Sequence, residues 1–306
     1  MTRTGAEVAG ANGLLAEALA RIARDIDEAF DQVLPLPQDA RARLVEAMRY
    51  AAIGGGKRLR PLLLTATAEM YGVDRDAALR AGVAVEAIHV YSLIHDDLPC
   101  MDDDTLRHGK PTVHKAFGEA TAVLAGDALH AFAFELLADP ATSGDPFTRI
   151  ELVAALGQAS GFQGMAGGQM MDMVAEERVF DLQTVTRLQQ LKTGALLGAA
   201  VEMGAILGHV PAEARSHLRG YARDIGLAFQ IADDLIDHEG DEAVAGKALR
   251  KDMGAGKQTF VALLGPERAR AQAGVLVDQA VAYLDRHGAE ADLLRALARY
   301  IVERDR

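Results

Sequence analysis

Apolar residues return at three- and four-residue spacing through most of this 306-residue chain, and no comparable run alternates with period two. Leu44, Val45, Met48, Ala51 and Ala52 form one such stripe, and Leu293, Leu294, Leu297, Tyr300 and Ile301 form another. That spacing commits the chain to helices whose apolar stripes must bury against one another. Residue choice agrees: Ala, Leu, Glu, Arg and Met are plentiful, Trp is absent and aromatics make up only 5%, which favours helix over sheet. Breaks at Leu34–Pro37, Gly54–Gly56, Gly72, Gly109–Pro111, Pro140–Pro146, Gly208–Pro211 and Gly265–Pro266 read as helix-to-helix turns. No linker-like segment divides them. The expectation is a single all-α domain over residues 1–306, roughly ten helices most of which pack around a common centre, with Met1–Gly13 frayed.

Charge and cysteine usage narrow the function. A formal charge of -12 argues against nucleic acid, whose binders present net positive surface. The single cysteine, Cys100, excludes an intramolecular disulfide framework and fits a reducing, cytoplasmic setting. The N-terminus lacks the basic and apolar regions of a signal peptide. One uncharged run, Leu152–Met171, is long enough to span a bilayer, but its five glycines and three glutamines point to burial within protein instead.

Two acidic clusters stand out. The first runs Asp96, Asp97, Leu98, Pro99, Cys100, Met101, Asp102, Asp103, Asp104, and the second Asp233, Asp234, Leu235, Ile236, Asp237. Each follows a mostly apolar segment. Asp233 and Asp237, four apart, share one face of a continuous helix. Asp96 and Asp102 can converge only if Pro99 interrupts the helix between them. Carboxylates at the C-terminal end of a helix oppose its macrodipole, so unassisted clusters of this kind are destabilising and imply a cation. Hard oxygen donors in twos and threes, with no Cys and little His, suit magnesium, which completes its shell with water and substrate phosphate.

Basic residues complete the pattern. Gly54, Gly55, Gly56, Lys57, Arg58, Leu59, Arg60, Pro61 places three positive charges behind a glycine turn, an arrangement suited to an anion. It is not a nucleotide P-loop, because Ala51 stands where the first glycine belongs. Arg107, Lys192 with Thr193, Lys247 and Lys257 are further candidates near the clusters.

With these residues assembled, the sequence resembles the short-chain trans-prenyl diphosphate synthases, bacterial farnesyl diphosphate synthase type. The likeness covers roughly Arg41 to Arg304. It rests on Gly55–Pro61, Ser92–Arg107, Leu124–Leu129, Lys192–Leu196 and Phe229–Asp237. The resemblance implies an antiparallel helical bundle of the isoprenoid synthase type around a central cavity, a homodimer, and a magnesium-dependent transfer joining dimethylallyl or geranyl diphosphate to isopentenyl diphosphate. It implies three magnesium ions on Asp96, Asp97, Asp102, Asp233 and Asp237, with Asp234 in the same catalytic motif. Arg107, Lys192 and Lys257 are then expected to clasp the allylic diphosphate, with Lys247 nearby. Lys57, Arg60 and His89 are expected to hold isopentenyl diphosphate, and Thr193 and Gln230 to line the space near the developing cation.

One position departs from the pattern. The family usually carries two consecutive arginines after the first cluster, whereas here His108 follows Arg107, and an imidazole cannot supply a bidentate fork. Tyr91 lies five residues before Asp96, about 7.5 Å down a helix. Under the resemblance it forms the floor of the product cavity, beside Ser92, and implies a C15 product with C20 as the alternative. More distant readings are a class I terpene cyclase, a non-catalytic synthase subunit, and a di-iron bundle prompted by Glu86-x-x-His89. The cyclase does not need the basic segment, the subunit need not keep both clusters, and the di-iron motif lacks its second copy.

Overall fold

The computed structural model describes residues 5–239 and 258–303. Lys247 and Lys257 therefore lie outside the described residues. The fold is all-α, with helices α1 (Gly5–Val33), α2 (Ala42–Ala52), α3 (Leu59–Met70), α4 (Arg75–Asp96), α5 (Val113–Phe117), α6 (Glu119–Ala138), α7 (Pro146–Ser160), α8 (Met165–Val174), α9 (Leu182–Gln189), α10 (Ala195–Leu207), α11 (Ser216–Glu239), α12 (Phe260–Leu264), α13 (Pro266–Tyr283) and α14 (Asp292–Glu303). A hairpin of two-residue strands, β1 (Leu106–Arg107) and β2 (Lys110–Pro111), interrupts them. The turns read from glycine and proline all separate helices, with Pro146 and Pro266 as the first residues of α7 and α13 and Lys110–Pro111 paired as β2. Helix α1 begins at Gly5, inside the stretch expected to fray; adding residues to an existing helix costs far less than starting one.

The chain contacts divide into two compact units, Ala16–Val153 and Met1–Leu15 with Ala154–Arg306. In the first, α4 is the hub, packed against α3 and α6. Asp74 caps it, its carboxylate accepting from the backbone N–H groups of Asp76 and Ala77. From Ala81 to Ile88 every residue of α4 is buried, the mark of a helix enclosed on all sides. Small residues let its neighbours approach. A Cβ on Gly126 of α6 would meet His95 at 2.1 Å, so glycine there brings α6 against the last turn of α4.

A buried ion cluster fixes the basic turn in the same unit. Arg58, with φ of 51°, precedes α3 and is 3% exposed. Its guanidinium donates to the Ala52 carbonyl at 2.5 Å, to Asp27 at 2.7 Å and to Glu86 at 2.8 Å, above the Phe30 ring. Asp27 also accepts from the Gly54 N–H. Gly54 and Gly56 both have φ of 77°, a backbone that glycine adopts without a Cβ penalty.

In the second unit α11 is the hub, packed against α10, α12, α13 and α14. Tyr221 is fully buried there and donates to the Leu294 carbonyl at 2.8 Å. The uncharged run Leu152–Met171 is not one element: it breaks between Ser160 and Met165. Leu152 and Leu156 are buried, but Phe162 is 83% and Met170 56% exposed, so the expectation of full burial holds for only part of it. Helices α4 and α6 are long and apolar enough to cross a membrane by length and composition, a property that buried core helices share.

Replacing Arg58 by Ala strands the Glu86 carboxylate in the core, and the expected loss is about 3–5 kcal/mol. The double replacement Arg58→Met with Glu86→Leu should recover most of it, as read from urea midpoints; a double variant no more stable than the single one refutes the assignment.

Candidate active site

Helix α4 delivers the first acidic cluster. It ends at Asp96, and the chain then doubles back: Met101 and Asp103 donate to the Leu98 carbonyl, and the Asp102 N–H donates to the Asp96 carbonyl at 2.9 Å. Pro99 sits exposed in that turn, and the backbones of Asp96 and Asp102 meet across it. Asp97 points the other way, into the protein, where it is 2% exposed. Arg107 grips it with Nε at 2.8 and 3.0 Å and an Nη at 2.5 Å. Burial outweighs that guanidinium and raises the Asp97 carboxyl above its ordinary range.

Arg107 reaches Asp97 because of the hairpin. His108 and Gly109 form its two-residue turn with φ of 50° and 75°, the doubly left-handed pattern whose twist suits paired strands. Arg107 then pairs with Lys110 across the strands. Between hairpin, glycine turn and α4 lies a cavity open to solvent, lined by Gly54–Gly56, Arg58, Glu86, His89, Asp97, Arg107, His108 and Lys110 among others. Lys57 and Arg60 border it in sequence but are not among its lining residues.

Both histidines are biased towards the neutral form. Burial, then the charges of Arg60, Arg58 and Arg107, hold His89 well below the ordinary imidazole range. Burial and the charges of Arg107 and Arg58 lower His108 in the same direction. Tyr91 packs edge-on against His95 and, at 4.9 Å between ring centroids, against His130 of α6. Ser92 turns back to its own helix and donates to the His89 carbonyl.

The other unit carries the second cluster. Asp233 and Asp237 lie on one face of the unbroken α11, with Gln230 one turn earlier on that side. Asp234 is placed differently: it is buried and accepts from the Phe260 N–H at 2.7 Å, anchoring the start of α12. Lys192 and Thr193 sit in a π-helical turn, Gln190–Gly194, that the sequence pattern did not foretell. Such widened turns often mark functional positions. A Cβ on Gly168 of α8 would lie 2.1 Å from the Lys192 N atom, and one on Gly226 of α11 would lie 3.3 Å from the Gly194 Cα, so both helices meet the turn backbone to backbone. Lys192 Nζ is 2.6 Å from Asp172. Sequence reasoning missed Asp172, although it is the first charge after a long uncharged run.

Among the described residues no group of three or more Cys, His, Asp and Glu side chains forms a ready-made metal cage. The donor set nonetheless fits magnesium, which takes one or two carboxylates and fills its shell with water and phosphate oxygens. Asp96 and Asp102 on one unit and Asp233 and Asp237 on the other offer that chemistry. Iron has no such fit, because Glu86 is committed to Arg58.

The first acidic cluster beside a basic cavity is chemistry suited to a diphosphate handled through a divalent metal. The polyprenyl synthetase family profile matches residues 41–299. The farnesyl diphosphate synthase of Escherichia coli (strain K12) is 46% identical over 281 residues, covering 90% of this chain and 93% of that one. The chloroplastic geranylgeranyl pyrophosphate synthase of Catharanthus roseus is 45% identical over 267 residues, covering 86% and 74%. The crystal structure of an FPP/GFPP synthase from Zymomonas mobilis superposes with a TM-score of 0.86 at 59% identity, covering 94% and 98%. The chain belongs to the polyprenyl synthetase family. It is a prenyltransferase with the isoprenoid synthase fold, in a family whose members depend on magnesium.

The neutral His89 has a measurable consequence. In the unfolded chain it binds a proton near pH 6.5, whereas the folded protein resists that proton. The unfolded state therefore binds more protons below that pH, and stability falls as pH drops through it. Replacing His89 by Gln should flatten this acid limb in denaturation midpoints measured between about pH 7 and 5; an unchanged limb counts against a neutral His89.

Proposed function

We propose that this protein condenses an allylic diphosphate, dimethylallyl or geranyl, with isopentenyl diphosphate, head-to-tail and all-trans, to give mainly farnesyl diphosphate. The observation that carries the reading is Arg107, which joins Asp97 of the first acidic cluster to a cavity lined by basic side chains and the glycine turn. In this reading residues 1–306 act as one catalytic domain. Asp96 and Asp102 would hold two magnesium ions and Asp233 with Asp237 a third, while Asp97, expected from the sequence to join them, is buried against Arg107 and positions that arginine instead. Bound magnesium neutralises the charge that gathers on the departing diphosphate. Arg107 and Lys192 clasp the allylic diphosphate, joined by Lys257 and Lys247.

Lys57, Arg60 and His89 hold isopentenyl diphosphate beside the glycine turn. His89, being neutral, contributes a hydrogen bond rather than a charge. Thr193 and Gln230 face the allylic cation with oxygen dipoles, and apolar walls keep water from trapping it. Asp172 acts through Lys192, holding its ammonium in place.

Tyr91 limits the tail. Its ring is braced by His95 and His130, so a growing chain that reaches it cannot displace it cheaply, and C15 is the expected stop. A C20 product is the second reading, favoured by the likeness to the plant geranylgeranyl enzyme. A homodimer is supported by the exposed apolar side chains Val123 and Leu124 on α6 and Phe147 and Ile150 on α7. That much uncovered apolar surface is costly in a monomer. The setting is cytoplasmic, in keeping with the single exposed thiol of Cys100.

Incubating the protein with isopentenyl diphosphate and either starter should give a C15 diphosphate with magnesium and none without it, as identified by mass. Failure to elongate any starter sinks the reaction. Replacing Tyr91 by Ala should move the product to C20 or beyond, and an unchanged C15 product removes Tyr91 as the floor.

A further inference from the structure

The cavity beside the first acidic cluster is rich in basic side chains, yet most of their charge is already answered. Arg58 is held by Glu86 and Asp27, and Arg107 by Asp97 and Asp104. His89 and His108 favour the neutral form for the reasons above. Lys110, also in the lining, differs: among the described residues no Asp or Glu side chain stands in ion-pair contact with it.

Its position is built rather than incidental. Lys110 lies directly across the hairpin from Arg107, and residues opposite each other on paired strands present their side chains on the same face. The ammonium stands 5.8 Å from the Tyr50 ring centroid, and Tyr50 in turn donates to the Pro111 carbonyl at 2.8 Å, tying α2 to β2. That same ammonium is 3.5 Å from where a Cβ on Gly54 would be, so it hangs over the glycine turn at the cavity wall. An ammonium is a compact point donor that can serve phosphate oxygens from one side.

We propose that Lys110 is a binding residue for the diphosphate of isopentenyl diphosphate, supplying the uncommitted positive charge of this cavity. The assignment rests on the condensation reading above. It makes Lys110 specific to one of two substrates, because its ammonium hangs over the glycine turn beside which isopentenyl diphosphate is held in that reading.

The test is a pair of substitutions at an exposed position, where folding is not at stake. Lys110→Gln keeps the apolar stem over Tyr50 and removes the charge. It should raise KM for isopentenyl diphosphate about tenfold, the effect of losing one charged hydrogen bond, with KM for geranyl diphosphate and kcat nearly unchanged. Lys110→Arg should retain the wild-type value, and adding His108→Arg to Lys110→Gln should restore it by returning a cation to the same wall. An unchanged KM for isopentenyl diphosphate, or equal rises for both substrates, overturns the proposal. If the wild-type protein elongates nothing, the condensation reading fails separately. Calorimetric titration of isopentenyl diphosphate into wild-type and Lys110→Gln protein then decides the site, with equal affinities, or no binding to either, ruling Lys110 out.

Discussion

Helix α4 has no solvent face over its central turns, and much of the site follows from that constraint. A polar group on such a helix must find a partner or face a cavity, because leaving it buried and unpaired costs on the order of 1–3 kcal/mol or more. Glu86 finds Arg58, and in doing so pins the turn that carries the glycines. His89, one turn later, opens onto the cavity that this turn borders. At the end of the helix, Asp97 is satisfied by Arg107, which fixes the hairpin. One buried helix thus sets the glycine turn, the cavity wall and the entry to the acidic cluster.

Backbone strain gathers at the same place. Among the described residues four non-glycine positions have left-handed φ, and three of them, Arg58, Asp103 and His108, lie around the first cluster and its cavity. Each conformation is uncommon for a residue with a side chain and is kept only where surrounding bonds enforce it. Arg58 is held by its guanidinium contacts, Asp103 by the turn onto Leu98 and His108 by its hairpin turn. The other unit solves a similar problem with helix geometry. There a π-turn seated against Gly168 and Gly226 presents Lys192 and Thr193, while Asp172 fixes the lysine ammonium.

The periodicity of apolar residues determined the helical class, and glycine and proline determined where the helices stop, because both are local rules acting within one turn of the chain. Local rules also made Asp233 and Asp237 share a face and let Pro99 fold Asp102 back towards Asp96. Tertiary structure alone decided which charges are available for chemistry. Arg58 reads as one more charge of the basic segment Lys57–Arg60, yet it is consumed by Glu86, 28 residues away, and by Asp27, 31 residues away. Asp234 looks like its neighbour Asp233 but serves Phe260. Lys110 looks like any surface lysine until the hairpin sets it across from Arg107 over the glycine turn. Pairing and burial depend on partners distant along the chain, and no local pattern encodes them.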